Sequence, residues 1–206
     1  KIASGGYLPL LIALVIFTTL TTWKSGQRIL NAQMAKASVS IDRFIKDIYK
    51  NPPTRVSGTA IYMTPWHNVL PSALLHNLKH NKMLHERIIF LTVVAQDVPY
   101  VAPENRVHVY QLGHDFYQLD LHTGFKDEPD VPAALTQCLA RGMDFDHIQQ
   151  AFFFLGRETV VPTVGDGMAT WREHIFAWMK KNASSAIDYY HIPADRVLEL
   201  GGRYEI

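Results

Sequence analysis

Between Ile2 and Trp23 the chain carries no charged side chain for 22 residues, reading IASGGYLPLLIALVIFTTLTTW. As a helix this run spans about 33 Å at about 1.5 Å per residue, close to the hydrocarbon thickness of a bilayer. Nine strongly apolar residues lie between Leu8 and Leu20. On an insertion scale they contribute roughly −3 to −5 kcal/mol, and no central charge opposes them at about 3 kcal/mol. Pro9 falls near the start, where a helix tolerates a missing amide donor. A secretory signal fits poorly, because the run is long and Thr21-Thr22-Trp23-Lys24 lacks the small residues of a cleavage site. A buried core helix is seldom uncharged for so long. The run is expected to cross a membrane.

Its flank sets the expected orientation. Six basic residues (Lys24, Arg28, Lys36, Arg43, Lys46, Lys50) face two acids, Asp42 and Asp47, between Lys24 and Lys50. Positive charge collects on the cytoplasmic side, so everything after Trp23 is expected there, with Trp23 at the interface and Lys24 and Arg28 among headgroups. Lys1 stands where an initiator Met would, and the chain is read as a piece of a longer protein.

Beyond the membrane run, Leu30, Met34, Ala37, Ile41, Phe44, Ile45 and Ile48 fall on one stripe at spacings of three and four, with a polar opposite face. This predicts a helix from Ser25 to Lys50, ended by Asn51-Pro52-Pro53. It is read as a connector packing on the domain beyond it, or as a lever or pairing helix between subunits. The expected division is therefore a transmembrane helix over 1–24, an amphipathic connector over 25–53 and a cytoplasmic domain over 54–206.

The last part reads as α/β, a mixed β-sheet with flanking helices. Strands are predicted at Thr59–Met63, Glu86–Val94, Arg106–Leu112, Phe116–His122, Ala151–Leu155 and Arg196–Leu200. The nearly unbroken apolar run from Ile88 predicts burial on both faces. Gly113-His114-Asp115 predicts a hairpin turn. Helices are predicted at Pro71–Leu84, at Val131–Arg141 with Asp130 as cap and Gly142 as stop, and at Met168–Ala183. Gly165-Asp166-Gly167 reads as a mobile loop.

Composition narrows the function. A net charge of +1 gives no reason to expect nucleic acid as a partner. The lone Cys138 excludes an internal disulfide framework and an all-thiolate zinc site. His76 and His80 are one helical turn apart, which is metal-ligand spacing, with His85 or Glu86 as a third ligand; no Glu stands between them as in zinc proteases. The alternative is that they cap the helix and bond to loops. Asn77, Lys79 and Asn81 beside them are ligand candidates. So is Arg157, in Phe154-Leu-Gly-Arg-Glu-Thr159 just beyond a predicted strand, where ligands of open sheets bind and an Arg pairs with phosphate; the competing reading is an Arg157–Glu158 pair. Asp127-Glu128-Asp130 reads as a solvated helix start. Neither a nucleophile elbow, a P-loop nor a dinucleotide fingerprint is present, so no enzyme and no cofactor are expected.

Several strings carry a family resemblance. Gly5-Gly-Tyr-Leu-Pro9 and Thr22-Trp23-Lys24 resemble the last transmembrane helix of the KUP potassium-uptake transporters. Arg55-Val-Ser-Gly-Thr-Ala60 and Pro71-Ser-Ala-Leu-Leu-His-Asn-Leu-Lys-His-Asn-Lys-Met-Leu-His-Glu86 resemble the opening of their cytoplasmic domain. Gly124-Phe125, Glu128-Pro-Asp-Val131, Phe153-Phe-Leu-Gly-Arg-Glu158 and the tail (Ile192-Pro193, Arg196-Val197, Glu199-Leu-Gly201, Glu205-Ile206) are similar to further family strings. Tyr7, where relatives often have Trp, and Tyr204, where an aliphatic is expected, depart from the pattern. The resemblance implies a multi-pass inner-membrane protein taking up potassium ions, commonly by proton symport, with the ion pathway in earlier helices. No ion site is carried onto this chain. A regulatory or assembly role is implied for it, with membrane lipid around its helix, and with a regulatory nucleotide or a homodimer as partner classes.

Overall fold

The computed structural model describes residues 7–36, 39–140, 150–163 and 167–206. Its helices are α1 (Tyr7–Lys36), α2 (Ile41–Lys50), α3 (Ser72–Asn81), α4 (Val131–Ala140), α5 (Thr170–Lys181) and α6 (Ala186–Tyr189). Its strands are β1 (Thr54–Met63), β2 (Met83–Gln96), β3 (Val107–Gln111), β4 (Phe116–Gly124), β5 (Phe152–Val161) and β6 (Val197–Glu205), in the sheet order β3-β4-β2-β1-β5-β6. The chain divides into two units. One holds Val39–Arg157 and Ser184–Gly202; the other holds Lys1–Ser38, Glu158–Ala183 and Arg203–Ile206.

The first unit is built on β2. Strands β4, β2, β1 and β5 pair in parallel, and β3 closes one edge antiparallel to β4. Residues Ile88 to Thr92 are buried without interruption, and alternation sends them to opposite faces. Ile89 and Leu91 meet Leu119, Phe153 and the α4 residues Val131, Leu135 and Cys138. Ile88 and Phe90 meet Tyr62, Phe154, Leu74 of α3 and the α2 stripe Ile41, Phe44, Ile45 and Ile48. Helices on both sides are what an all-apolar parallel strand requires. The mixed sheet with flanking helices agrees with the sequence reading.

Several boundaries move, each for a local reason. The apolar stripe is shared by two helices: Leu30 packs with Phe176 and Ile206, while Ile41 to Ile48 pack under the sheet. Between them Ser40 is extended and bridges Val69, and the Val39 carbonyl accepts from the Leu70 amide. Ala37 lies outside the described residues. β1 starts five residues early, at Thr54, because Gly58 (φ 103) supplies the irregularity between Val56 and Thr59 that keeps it in register with β2. β5 and β6 both run past their predicted ends, to Val161 and Glu205. The hairpin forms as expected, with Leu112 and Gly113 amides donating to the Phe116 carbonyl. Asp130 caps α4 by accepting from the Ala133 amide. The predicted helix end at Arg141 and Gly142, and Gly165-Asp166 of the expected mobile loop, lie outside the described residues.

In the second unit α1 changes character along its length. It is long and apolar enough to cross a membrane, and its first half is bare: Val15 and Phe17 are each 65% exposed. Thr19 and Thr21 turn their hydroxyls back onto the Val15 and Phe17 carbonyls, at 2.9 and 2.8 Å, which satisfies them without water. Its buried residues are Thr22, Gly26 and Leu30, one turn apart. This stripe meets α5: Arg172 Nε donates to Thr22 Oγ1 at 3.0 Å, and the Phe176 ring lies on Gly26. Lys180 pairs with Glu158 at 3.3 Å. Ile206 donates to the Val161 carbonyl and accepts from the Thr163 amide, the alternation of a parallel ladder.

The Gly26 contact generates a test. Any Cβ at position 26 would enter the fully buried Phe176 ring. Overpacking of about 1–3 kcal/mol outweighs the roughly 1 kcal/mol that a helix gains on losing glycine. Gly26→Leu is expected to lower the melting temperature of the detergent-solubilised chain, followed by the emission of Trp23, whose ring is 5.6 Å from Phe176. An unchanged melt would refute the close packing.

Candidate functional site

The polar residues singled out in and around α3 separate into different roles. Helix α3 ends at Asn81, three residues short of the prediction, because Lys82 adopts φ 54 while its amide bonds the Leu78 carbonyl. Met83 then starts β2, which removes His85 and Glu86 from the helix. Asn77 is buried, donating from Nδ2 to the Tyr62 hydroxyl at 3.1 Å and to the Met83 carbonyl at 3.3 Å. Its Oδ1 accepts from Asn81 Nδ2 at 2.7 Å. The side chain thus ties α3 to both β1 and β2. Burial pushes the Tyr62 phenol well above its usual pKa, with the Asn77 hydrogen bond opposing. Tyr62 also stacks on Phe154, its partner in β5, at 4.7 Å.

His76 and His80 lie ring against ring, 6.2 Å apart and nearly parallel. His85 points elsewhere, against Phe152 and Phe154. Burial lowers its pKa, and its Nδ1 has no hydrogen-bond partner among the described residues. Among the described residues no three His, Cys, Asp or Glu gather as metal ligands. Lys79 is exposed on α3. Arg157 sits inside β5 rather than beyond a strand, and pairs across to Glu199 of β6 at 3.1 Å instead of to Glu158. The structure therefore joins Asn77 to Asn81, and leaves Lys79 and Arg157 on separate elements.

Sequence reasoning missed a polar network within β2 and β4, where β1 has ended beside them. Gln118 Nε2 donates to Thr92 Oγ1 at 3.0 Å and to Asp120 Oδ1 at 2.8 Å. His67 Nε2, from the segment after β1, meets the same carboxylate oxygen at 2.9 Å and must donate, since a carboxylate only accepts. Thr92, Gln118 and Asp120 are buried. Next to them Gln96 Nε2 donates to His122 Nδ1 at 2.8 Å, and the His108 ring stands edge-on at 5.0 Å. Burial, then the nearby His108, lowers the His122 pKa against the pull of Asp120. The signal was the alternation Gln118, Asp120, His122, which reads as a solvent face when its neighbours are unknown. Chemically, the network fixes the Asp120 carboxylate against the His67 imidazole, with the His122 and His108 rings farther along the same strands.

The acidic run after β4 has a positional role. Asp127 accepts from the Val101 and Gly124 amides, both at 2.9 Å, and from Arg106 at 2.7 Å. Gly124 presses on the Pro99 carbonyl, which leaves no room for a side chain. A cavity of about 60 Å³ lies beside it, lined by Arg106, Asp127, Asp130 and Gln137, room for water rather than for a metabolite.

The chain is similar to known proteins along its whole length. The family described as "K+ potassium transporter C-terminal domain" matches residues 57–206. "Probable potassium transport system protein Kup" of Azoarcus sp. (strain BH72) is 50% identical over all 206 residues, which cover 32% of that relative. Proteins of the same description from Aromatoleum aromaticum and Verminephrobacter eiseniae are 48% and 43% identical, with 32% and 33% covered. The chain thus spans about a third of the length of the curated relatives it matches. No solved structure matches.

Two measurements test the geometry. Asn77→Leu leaves the Tyr62 hydroxyl and the Met83 carbonyl without their donor and is expected to cost about 1–3 kcal/mol in urea unfolding; Asn81→Ala, at the exposed helix end, is expected to cost far less. For Asp127, amide hydrogen bonds from Val101 and Gly124, outweighing its desolvation, hold the carboxyl below its usual range. A depressed folded pKa stabilises above the unfolded value of about 3.9 and is lost as pH falls through the folded one. Asp127→Asn should therefore be less stable than wild type at neutral pH, with the gap closing below about pH 4. A gap independent of pH would exclude the carboxylate's role.

Proposed function

The chain belongs to the KUP potassium-transporter family as its C-terminal part, and from this we propose that it is the terminal portion of a proton-coupled potassium-uptake transporter of the inner membrane. In this reading α1 is the last of several membrane helices. Everything beyond Trp23 is cytoplasmic and serves regulation or assembly; it neither conducts the ion nor catalyses a reaction. The observation that carries it is the match of the whole chain, membrane helix included, to relatives named as potassium transport proteins. The six-to-two excess of basic residues after Trp23 supports the orientation. The extensive internal bonding of Asn77 and Asp127 supports a scaffold more than a catalytic centre.

Rubidium uptake in a potassium-uptake-deficient bacterium tests the role. The full gene that encodes this chain is expected to restore uptake, and a protonophore to abolish it. A stop codon at Thr54 is expected to alter the transporter's membrane level or its response to internal potassium, with potassium-over-sodium selectivity kept. A changed selectivity would place ion-handling groups in this part and overturn the division of labour. Titration of adenine nucleotides, cyclic di-AMP included, into the purified chain tests for a sensed ligand near Lys79 or Arg157. Absence of heat at high concentration removes that reading and leaves assembly, for which sedimentation should find a dimer.

A further inference from the structure

We propose that the exposed face of α5 bearing Trp171 docks into the lipid headgroup layer of the leaflet where α1 leaves the membrane. The inference rests on α1 being a membrane span. It starts from the register between the two helices. Arg172 bonds Thr22 and Phe176 covers Gly26, so a step of four residues on one helix matches a step of four on the other. The helices run side by side in the same direction. The uncharged run of α1 ends at Trp23, and Trp23 touches Phe176. The first turn of α5 is therefore at the depth where α1 exits the hydrocarbon.

On that turn Trp171 is 55% exposed, facing away from the seam that buries Glu173 and Phe176. His174, Trp178 and Lys181 continue the same face at helical spacing, all exposed. An indole has an apolar body and one N–H donor, which suits the boundary between acyl chains and headgroups, and cationic neighbours suit anionic lipid. By the same register the exposed Lys24 and Arg28 of α1 fall level with His174 and Trp178. A large indole left bare at the exit depth of a lipid-facing helix points to lipid. Trp178 lies about 10 Å farther along the helix axis, beyond the acyl boundary.

Fluorescence quenching in vesicles of phosphatidylcholine and phosphatidylglycerol, with bromines high on the acyl chains, tests this on the whole chain. Its tryptophans are Trp23, Trp66, Trp171 and Trp178. Trp171→Phe is expected to remove about half of the lipid-quenchable emission, as Trp23→Phe does, since both rings occupy the interface. Trp66→Phe is expected to change nothing. A variant retaining Trp171 alone (Trp23→Phe, Trp66→Phe, Trp178→Phe) gives the same answer directly should the single change disturb folding. Trp23 quenched with Trp171 unquenched overturns the proposal: acrylamide access then means a face in water, and protection from both quenchers means a protein neighbour such as a second copy. Trp23 unquenched overturns the membrane span itself, and the docking with it.

Discussion

Five consecutive buried residues in β2, Ile88 to Thr92, oblige the sheet to be covered on both sides. Each face then takes the helices that its chain connections allow. One side takes α4, whose Val131, Ala134, Leu135 and Cys138 repeat at helical spacing. The other takes α3 and the α2 stripe. Exposing that two-sided apolar strand would forfeit roughly 1.5–3 kcal/mol for each large side chain, so the helices cannot be dispensable decoration. The same requirement explains why Asn77 bonds inward. A helix over a parallel sheet lies on apolar surface, and a buried amide there must find partners or lose about 1–3 kcal/mol. Asn77 finds three, on β1, on β2 and within its own helix.

Periodicity made the two-sided strand, the hairpin and the main helices legible, since these express spacing alone. What periodicity could not convey was the identity of neighbours. Gln118, Asp120 and His122 alternate with apolar residues and look like a wet face, yet Gln118 and Asp120 are 5% and 7% exposed because Thr92 and His67 arrive beside them from elsewhere in the chain. Arg157 followed a run of aromatics and looked like the residue after a strand. Its strand continued, since β6 gives it a partner beyond the end of its pairing with β1. Lys82 ended α3 in a conformation that side chains seldom take, and no sequence rule based on glycine foresees that.

The strings by which the family is known acquire physical content here. Gly58 relieves the register of β1 at a positive φ. Gly124 passes the Pro99 carbonyl where no Cβ fits, and Asp127 then collects two amides and a guanidinium to hold that approach. Asp130 caps the helix that covers one face of the sheet. These residues are held by backbone geometry, and each is satisfied internally. Residues fixed for such reasons look the same in a sequence as residues fixed by a ligand.

Helix α1 joins a bare apolar half to a charged, packed half. Its first half needs no polar partner outside itself, because Thr19 and Thr21 bond back to their own helix and the apolar residues face outward. Its second half carries charge and buries a narrow stripe, Thr22, Gly26 and Leu30, against α5. The change occurs within about one turn at Trp23. A helix that simply ended at the bilayer surface would need caps for its last four carbonyls. By continuing to Lys36 it defers that need, and it carries a glycine to the point where Phe176 can come closest. The small residue at position 26 is thus what lets α1, beyond its apolar half, become a packing partner for α5.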